Sequence, residues 1–211
     1  MNSKGVSFIT HAELYICTYL ENYLMALTPS NMMPLGTVAP DFTLIDARTN
    51  KPVSLQDVAG EKGTVVMFIC NHCPFVKHVN EELVRLANDY RVTGFGFVAI
   101  SSNDIENYPQ DAPQYMWDVA RKENYPFPYL FDETQEVAKA YDAACTPDFY
   151  LFDSDLELVY RGQLDNSRPG NSIPVNGRDL REAMDNILNN NPQRKDQKPS
   201  MGCNIKWKEK G

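Results

Sequence analysis

The stretch that most constrains this chain is Thr64-Val65-Val66-Met67-Phe68-Ile69-Cys70-Asn71-His72-Cys73-Pro74. A short apolar run closed by a polar turn predicts a buried strand. The residues after the turn predict a helix: Pro74 suits a first helical position, and Phe75, Val76, Val79, Leu83, Leu86 and Tyr90 recur at steps of three and four. A strand running straight into a helix places both cysteines at the corner between them, on the helix's positive end. There the unpaired backbone N–H groups and the helix dipole favour a thiolate over a thiol. This is the chemistry of a redox dithiol. The chain's five cysteines, Cys17, Cys70, Cys73, Cys145 and Cys203, are few and odd in number. They do not form a disulfide framework, which leaves the CxxC pair reactive or metal-binding rather than structural.

With 211 residues and no disorder-prone composition, the chain can bury one ordinary core. Its net charge of -8 argues against a phosphate-binding surface, because nucleic-acid affinity rests largely on Lys and Arg neutralising phosphates. The apolar run at 65–70 is far short of the roughly 20 residues that cross a bilayer. Glu13 and Glu21 interrupt the early apolar stretch and no small-residue cleavage site comes after it, so no signal peptide is read and a cytoplasmic location is expected. Walker, dinucleotide-glycine and HExxH fingerprints are missing from the sequence, and no cofactor is expected.

Three parts are expected: a dispensable extension at 1–24, where Leu14, Ile16, Tyr19, Leu20 and Tyr23 can make a short helix; a domain at 25–192; and a tail at 193–211 packed on or near it. Within the domain, a strand at 39–45 and a return arm at 52–54 predict a hairpin. Ser54 is placed to cap a helical turn ended by Gly60. Phe-Gly-Phe-Val-Ala-Ile-Ser at 95–101 predicts a second buried strand, parallel to the first through a helical crossover. Next come a helix at 112–122, a proline-broken segment at 125–131 and a helix capped by Thr134. After Cys145-Thr146-Pro147 there are two alternating strands at 148–152 and 156–160, a loop at 162–176 and an amphipathic helix at 178–189.

Strand, CxxC, helix, strand, helix, Thr-Pro, hairpin and final helix, preceded by Ala39-Pro40-Asp41-Phe42, resemble the thioredoxin-like superfamily. Cys70-Asn71-His72-Cys73-Pro74-Phe75-Val76-Lys77-His78, Cys145-Thr146-Pro147-Asp148-Phe149 and the ending Gly202-Cys203-Asn204-Ile205-Lys206-Trp207-Lys208 are similar, more narrowly, to the peroxiredoxin-like redoxins of the thioredoxin and AhpC/TSA families. The resemblance implies an α/β fold with a central mixed sheet flanked by helices and an N-terminal hairpin. It implies a cis peptide at Thr146-Pro147, whose backbone pairs with an extended substrate, and a thiol-disulfide oxidoreductase in which exposed Cys70 attacks and buried Cys73 resolves. Peroxide reduction by an antioxidant enzyme is the alternative, but the sequence departs from that pattern. With Cys73 aligned to the peroxidatic cysteine, Val66 and Cys70 stand where a proline and a threonine are required. Arg161 is the candidate for the arginine role.

Of the remaining residues, His72 is expected to tune the dithiol's potential by favouring the Cys70 thiolate when charged. A metal-binding or metallochaperone module built on Cys70, Cys73, His72, His78 and Cys145 is the rival outside enzymes. Cys145 is a candidate third redox thiol, Cys203 is expected to tie down the tail, and no role is expected for Cys17. For Asp165, Asn166, Ser167 and Arg168, turn chemistry and an active-site rim are both open. Tyr108, Tyr115, Trp117 and Tyr125 are expected in the core. The expected partners are a disulfide-containing protein or small molecule and a thiol reductant, with no nucleic acid and no membrane; neither monomer nor dimer is preferred.

Overall fold

The computed structural model describes residues 27–209. The expectations for Cys17 and the helix within 1–24 lie outside the described residues. In chain order, the elements are β1 (Thr28–Pro29), β2 (Thr43–Asp46), β3 (Lys51–Ser54), α1 (Leu55–Val58), β4 (Gly63–Phe68), α2 (Pro74–Arg91), β5 (Phe95–Ser101), α3 (Pro113–Lys122) and β6 (Tyr129–Phe131). Then come α4 (Glu136–Ala140), β7 (Cys145–Thr146), β8 (Asp148–Asp153), β9 (Leu158–Gly162), α5 (Arg178–Leu188) and β10 (Met201–Asn204). Seven strands form one mixed sheet in the order β3-β2-β6-β5-β4-β8-β9. In it β4, β5 and β6 run parallel, and the other neighbours pair antiparallel. The fold is the expected α/β arrangement with a central mixed sheet, flanking helices and the β2–β3 hairpin.

All six residues of β4 are buried, because the sheet is covered on both faces. Val65 and Met67 join a core layer with α2, α3 and α5 through Leu83, Met116 and Met184. Val66 and Phe68 point the other way, to Leu55 of α1, Ala138 of α4 and a ring cluster of Phe68, Tyr141, Tyr150 and Phe152. The two-residue side-chain period of a strand sorts one apolar run into two cores.

Local signals fall where the backbone needs partners. Ser54 and Asp57 make a reciprocal capping box at the start of α1. Thr134 accepts from the backbone of Glu136, but α4 starts after Gln135, whose φ is 63°. The expected 39–45 strand shrinks to β2, and 38–39 instead bond the turn before β9. The β8–β9 hairpin holds its second strand two residues later than expected. Leu156 turns with φ 60° and the register slips between Leu151 and Phe152.

Away from the main sheet, β10 runs between β1 and β7 in a three-stranded antiparallel sheet. The register pairs Cys203 with Thr146 and Thr28 with Gly202. A Cβ on Gly202 would sit 2.0 Å from the Thr146 carbonyl oxygen, so only glycine lets β10 lie this close. Among the described residues, no helix is long and apolar enough to cross a membrane.

Candidate active site

Both cysteines sit at the end of β4, where β4 gives way to α2. Cys73 is the N-cap residue of α2 and Pro74 opens the helix. Across from them runs β7, ending in the cis peptide Thr146-Pro147. Cys70 Sγ lies 3.4 Å from Thr146 Oγ1, and Cys73 Sγ lies 3.2 Å from Thr146 O. One residue of the proline loop therefore touches both sulfurs, through its side chain and its backbone.

Cys70 is not exposed as expected: it is 2% accessible, against 0% for Cys73. The cover comes from a segment the sequence did not single out. The loop after β5 brings Asp111 back over the turn, where its carboxylate accepts from Asn71 N (2.8 Å), Asn103 Nδ2 (2.8 Å) and His72 Nδ1 (2.6 Å). The bond to Asp111 keeps a proton on Nδ1, so that nitrogen is not a base for Cys70, whose Sγ is 4.0 Å away. Tyr108 stacks flat on the imidazole with ring centres 5.9 Å apart. Asn71 is held further by Tyr129 OH (3.0 Å). No spacing signal marks Asp111 in the sequence; only its place after β5, whose carboxyl end points at the CxxC turn, hints at it.

A third thiol completes the group, and it is Cys203 rather than Cys145. Cys203 Sγ lies 2.8 Å from Cys73 Sγ. Because Thr146 faces the dithiol, its strand neighbour Cys145 points away, and its thiol donates to Pro147 O (3.7 Å). Burial, with the charge of Asp148 beside it, pushes the Cys145 thiol far up.

The electrostatics of the trio also differ from expectation. Burial pushes Cys70 well above an ordinary thiol, and its hydrogen bond to Cys73 and the charge of Asp111 push the same way. Burial acts upward on Cys73 too. Hydrogen bonds from Cys203, Cys70 and the backbone N–H groups of Val76 and Cys203 outweigh it and hold Cys73 below the usual thiol range. Cys203 is raised, first by its bond to Cys73 and then by burial. A single negative charge is thus best held on the middle sulfur, at the helix N-terminus. While protonated, Cys73 gives its hydrogen to Thr146 O.

The metal set expected from five residues does not assemble. His78 bonds Ser167 Oγ (2.7 Å) and Cys145 faces Pro147. Among the described residues only Cys70, His72 and Asp111 bring donor atoms within 4.8 Å of one another. Two of those three donors are already joined by the His72–Asp111 bond. Arg161 is not an active-site arginine either: it bonds Met33 O and Gln197 Oε1 (both 2.7 Å). Asp165 organises its own loop, accepting from Ser167, Asn176 and Gly177 backbones, and Arg168 bonds Gln163 Oε1 and the loop carbonyls. Tyr125 is in the core, whereas Tyr115 and Trp117 are 47% and 40% exposed.

A mixed sheet with a dithiol at the β4–α2 corner and a cis-proline loop opposite defines a thioredoxin-like protein. The AhpC/TSA family pattern matches residues 35–161, and the chain belongs to that family. It is similar to a conserved protein of Geobacillus kaustophilus, with 61% identity over 89% of this chain and 99% of that one and a TM-score of 0.87. It is also similar to a hypothetical protein of Sinorhizobium meliloti, with 45% identity over 87% of this chain and 100% of that one and a TM-score of 0.84. At the level of fold it resembles the thioredoxin domain of a thiol-disulfide oxidoreductase of Bacteroides vulgatus, at 19% identity over 71% of this chain and 97% of that one and a TM-score of 0.53. No protein of curated function matches the chain.

Proposed function

We propose that the protein is a thiol-disulfide oxidoreductase in which Cys70 takes up the substrate sulfur and Cys73 resolves the mixed disulfide. The observation that carries this reading is the contact of both sulfurs with Thr146, at the N-terminus of α2. Cys70 keeps a trace of accessible surface and lies 4.0 Å from His72 Nδ1, while Cys73 is fully enclosed. An open groove lined by Asn71, His72, Lys77, Gln110, Tyr115 and Val119 adjoins His72 and gives a disulfide-bearing substrate a place to rest.

The chemistry runs as an exchange. Cys70, hydrogen-bonded to Cys73, passes its proton to that thiolate and attacks one sulfur of the substrate disulfide; the other sulfur leaves as a thiolate. Cys73 then attacks Cys70 Sγ, the Cys70–Cys73 bond closes, and the second substrate sulfur leaves with the proton. A thiol reductant returns the pair to the dithiol. The peroxidase alternative is weaker, since Arg161 is turned elsewhere and Cys70 stands in the threonine's place.

Incubation with a disulfide peptide tests this. Cys73→Ser is expected to accumulate a mixed disulfide on Cys70, and Cys70→Ser to trap none. Turnover that survives Cys70→Ser overturns the reading, as does a stoichiometric metal that protects both thiols. Peroxide consumption lost in Cys73→Ser but kept in Cys70→Ser replaces it with peroxide reduction.

A further inference from the structure

We propose that Cys203 is a third redox thiol, which takes over the disulfide from the CxxC pair. This inference rests on the dithiol reading and adds a residue to it. In the transfer, the Cys203 thiolate attacks Cys73 Sγ of the Cys70–Cys73 disulfide. The Cys73–Cys203 bond forms, the Cys70–Cys73 bond breaks, and Cys70 leaves as a thiolate that takes the proton Cys203 gave up. One disulfide is consumed and one produced, so no outside oxidant or reductant enters the step.

Three observations carry it. Cys203 Sγ is 2.8 Å from Cys73 Sγ, and a disulfide needs about 2.05 Å, so the two sulfurs close the bond by moving together less than about 1 Å. Cys73 is hydrogen-bonded to Cys70 on one side and to Cys203 on the other, which makes it the sulfur common to both bridges. The backbone holds Cys203 there: it pairs with Thr146 across β10 and β7, and Gly202 removes the side chain that would push the strand away.

The placement also answers what occupies the edge of the proline loop. The family resemblance assigns the backbone at Thr146 to an extended substrate segment, and the chain's own C-terminal strand fills that edge, with a cysteine opposite Thr146. The bond to Cys73 and burial raise the Cys203 thiol, and the charge of Lys206, whose Nζ bonds Asn204 Oδ1 at 2.7 Å, acts against them. Transfer to Cys203 returns Cys70 to the thiol form, and it ties β10 to the N-terminus of α2.

The test oxidises reduced full-length protein with one equivalent of a disulfide peptide, quenches with acid and alkylating agent over time, and maps linked peptides by mass spectrometry. The wild type is expected to show a Cys70–Cys73 link first. A Cys73–Cys203 link with alkylated Cys70 then grows at its expense. Cys203→Ser, a near-isosteric change, is expected to stop at Cys70–Cys73. If Cys203 stays free in the wild type while Cys70–Cys73 persists in both proteins, the relay is overturned and the dithiol reading stands. If neither protein links Cys70 to Cys73, both fall.

Discussion

Asp148 comes directly after the cis-proline and is fully buried, with Ser30 Oγ (2.6 Å) and Tyr150 OH (3.2 Å) donating to its carboxylate. Burial dominates these bonds and pushes its pKa up to about 7. The unfolded carboxyl titrates near 3.9. Between those values the folded state binds more protons, so stability falls as pH rises through the window, by roughly 4 kcal/mol for a shift of this size. The unfolding free energy of wild type minus that of Asp148→Asn, measured by denaturant titration at several pH values, is expected to fall by a few kcal/mol from about pH 4 to 7 and stay flat above. A difference constant with pH overturns this. At the same scale, His72 changes its meaning. It reads in the sequence as a cation beside Cys70, but its bond to Asp111 pairs it with an opposite charge that itself acts to raise the Cys70 thiol.

At the scale of elements, β4 and α2 were legible because an apolar run and a three-and-four periodicity are local properties. The C-terminal strand was not. Four residues, Met201-Gly202-Cys203-Asn204, carry no periodicity long enough to announce a strand, and their partners at Pro29 and Thr146 stand far away in sequence. The cysteine contrast has the same root. Cys145 is next to Thr146 in sequence and faces away, while Cys203 is far in sequence and touches Cys73. Gly202→Ala tests the element: its Cβ meets the Thr146 carbonyl, and the strain is expected to cost about 1–3 kcal/mol in denaturant unfolding. It is also expected to slow Cys73–Cys203 bridging. An unchanged unfolding midpoint would show that β10 tolerates the displacement.

For the whole molecule, both ends of the described chain meet at the site. Ser30 donates its backbone N–H to Ser200 O and its hydroxyl to Asp148, and Ser200 Oγ donates to Pro147 O. Removal of the 1–24 extension is expected to leave the thermal midpoint within a few degrees of the full chain, whereas removal through residue 31 takes away these Ser30 bonds and lowers it markedly. Thermal melts of the two truncations check this, and a large loss in the shorter deletion overturns the boundary. The sequence alone determined the buried strand, the helix after it, the dithiol between them and the fold class, because each comes from local pattern and from motifs in a fixed order. Tertiary structure decided what surrounds the dithiol: Asp111 returning over His72, Arg161 turned to Gln197, and Cys203 set against Cys73 by a strand from the far end of the chain. Those positions depend on which distant segments pair, and pairing between segments far apart in the chain leaves no local trace in the order of amino acids.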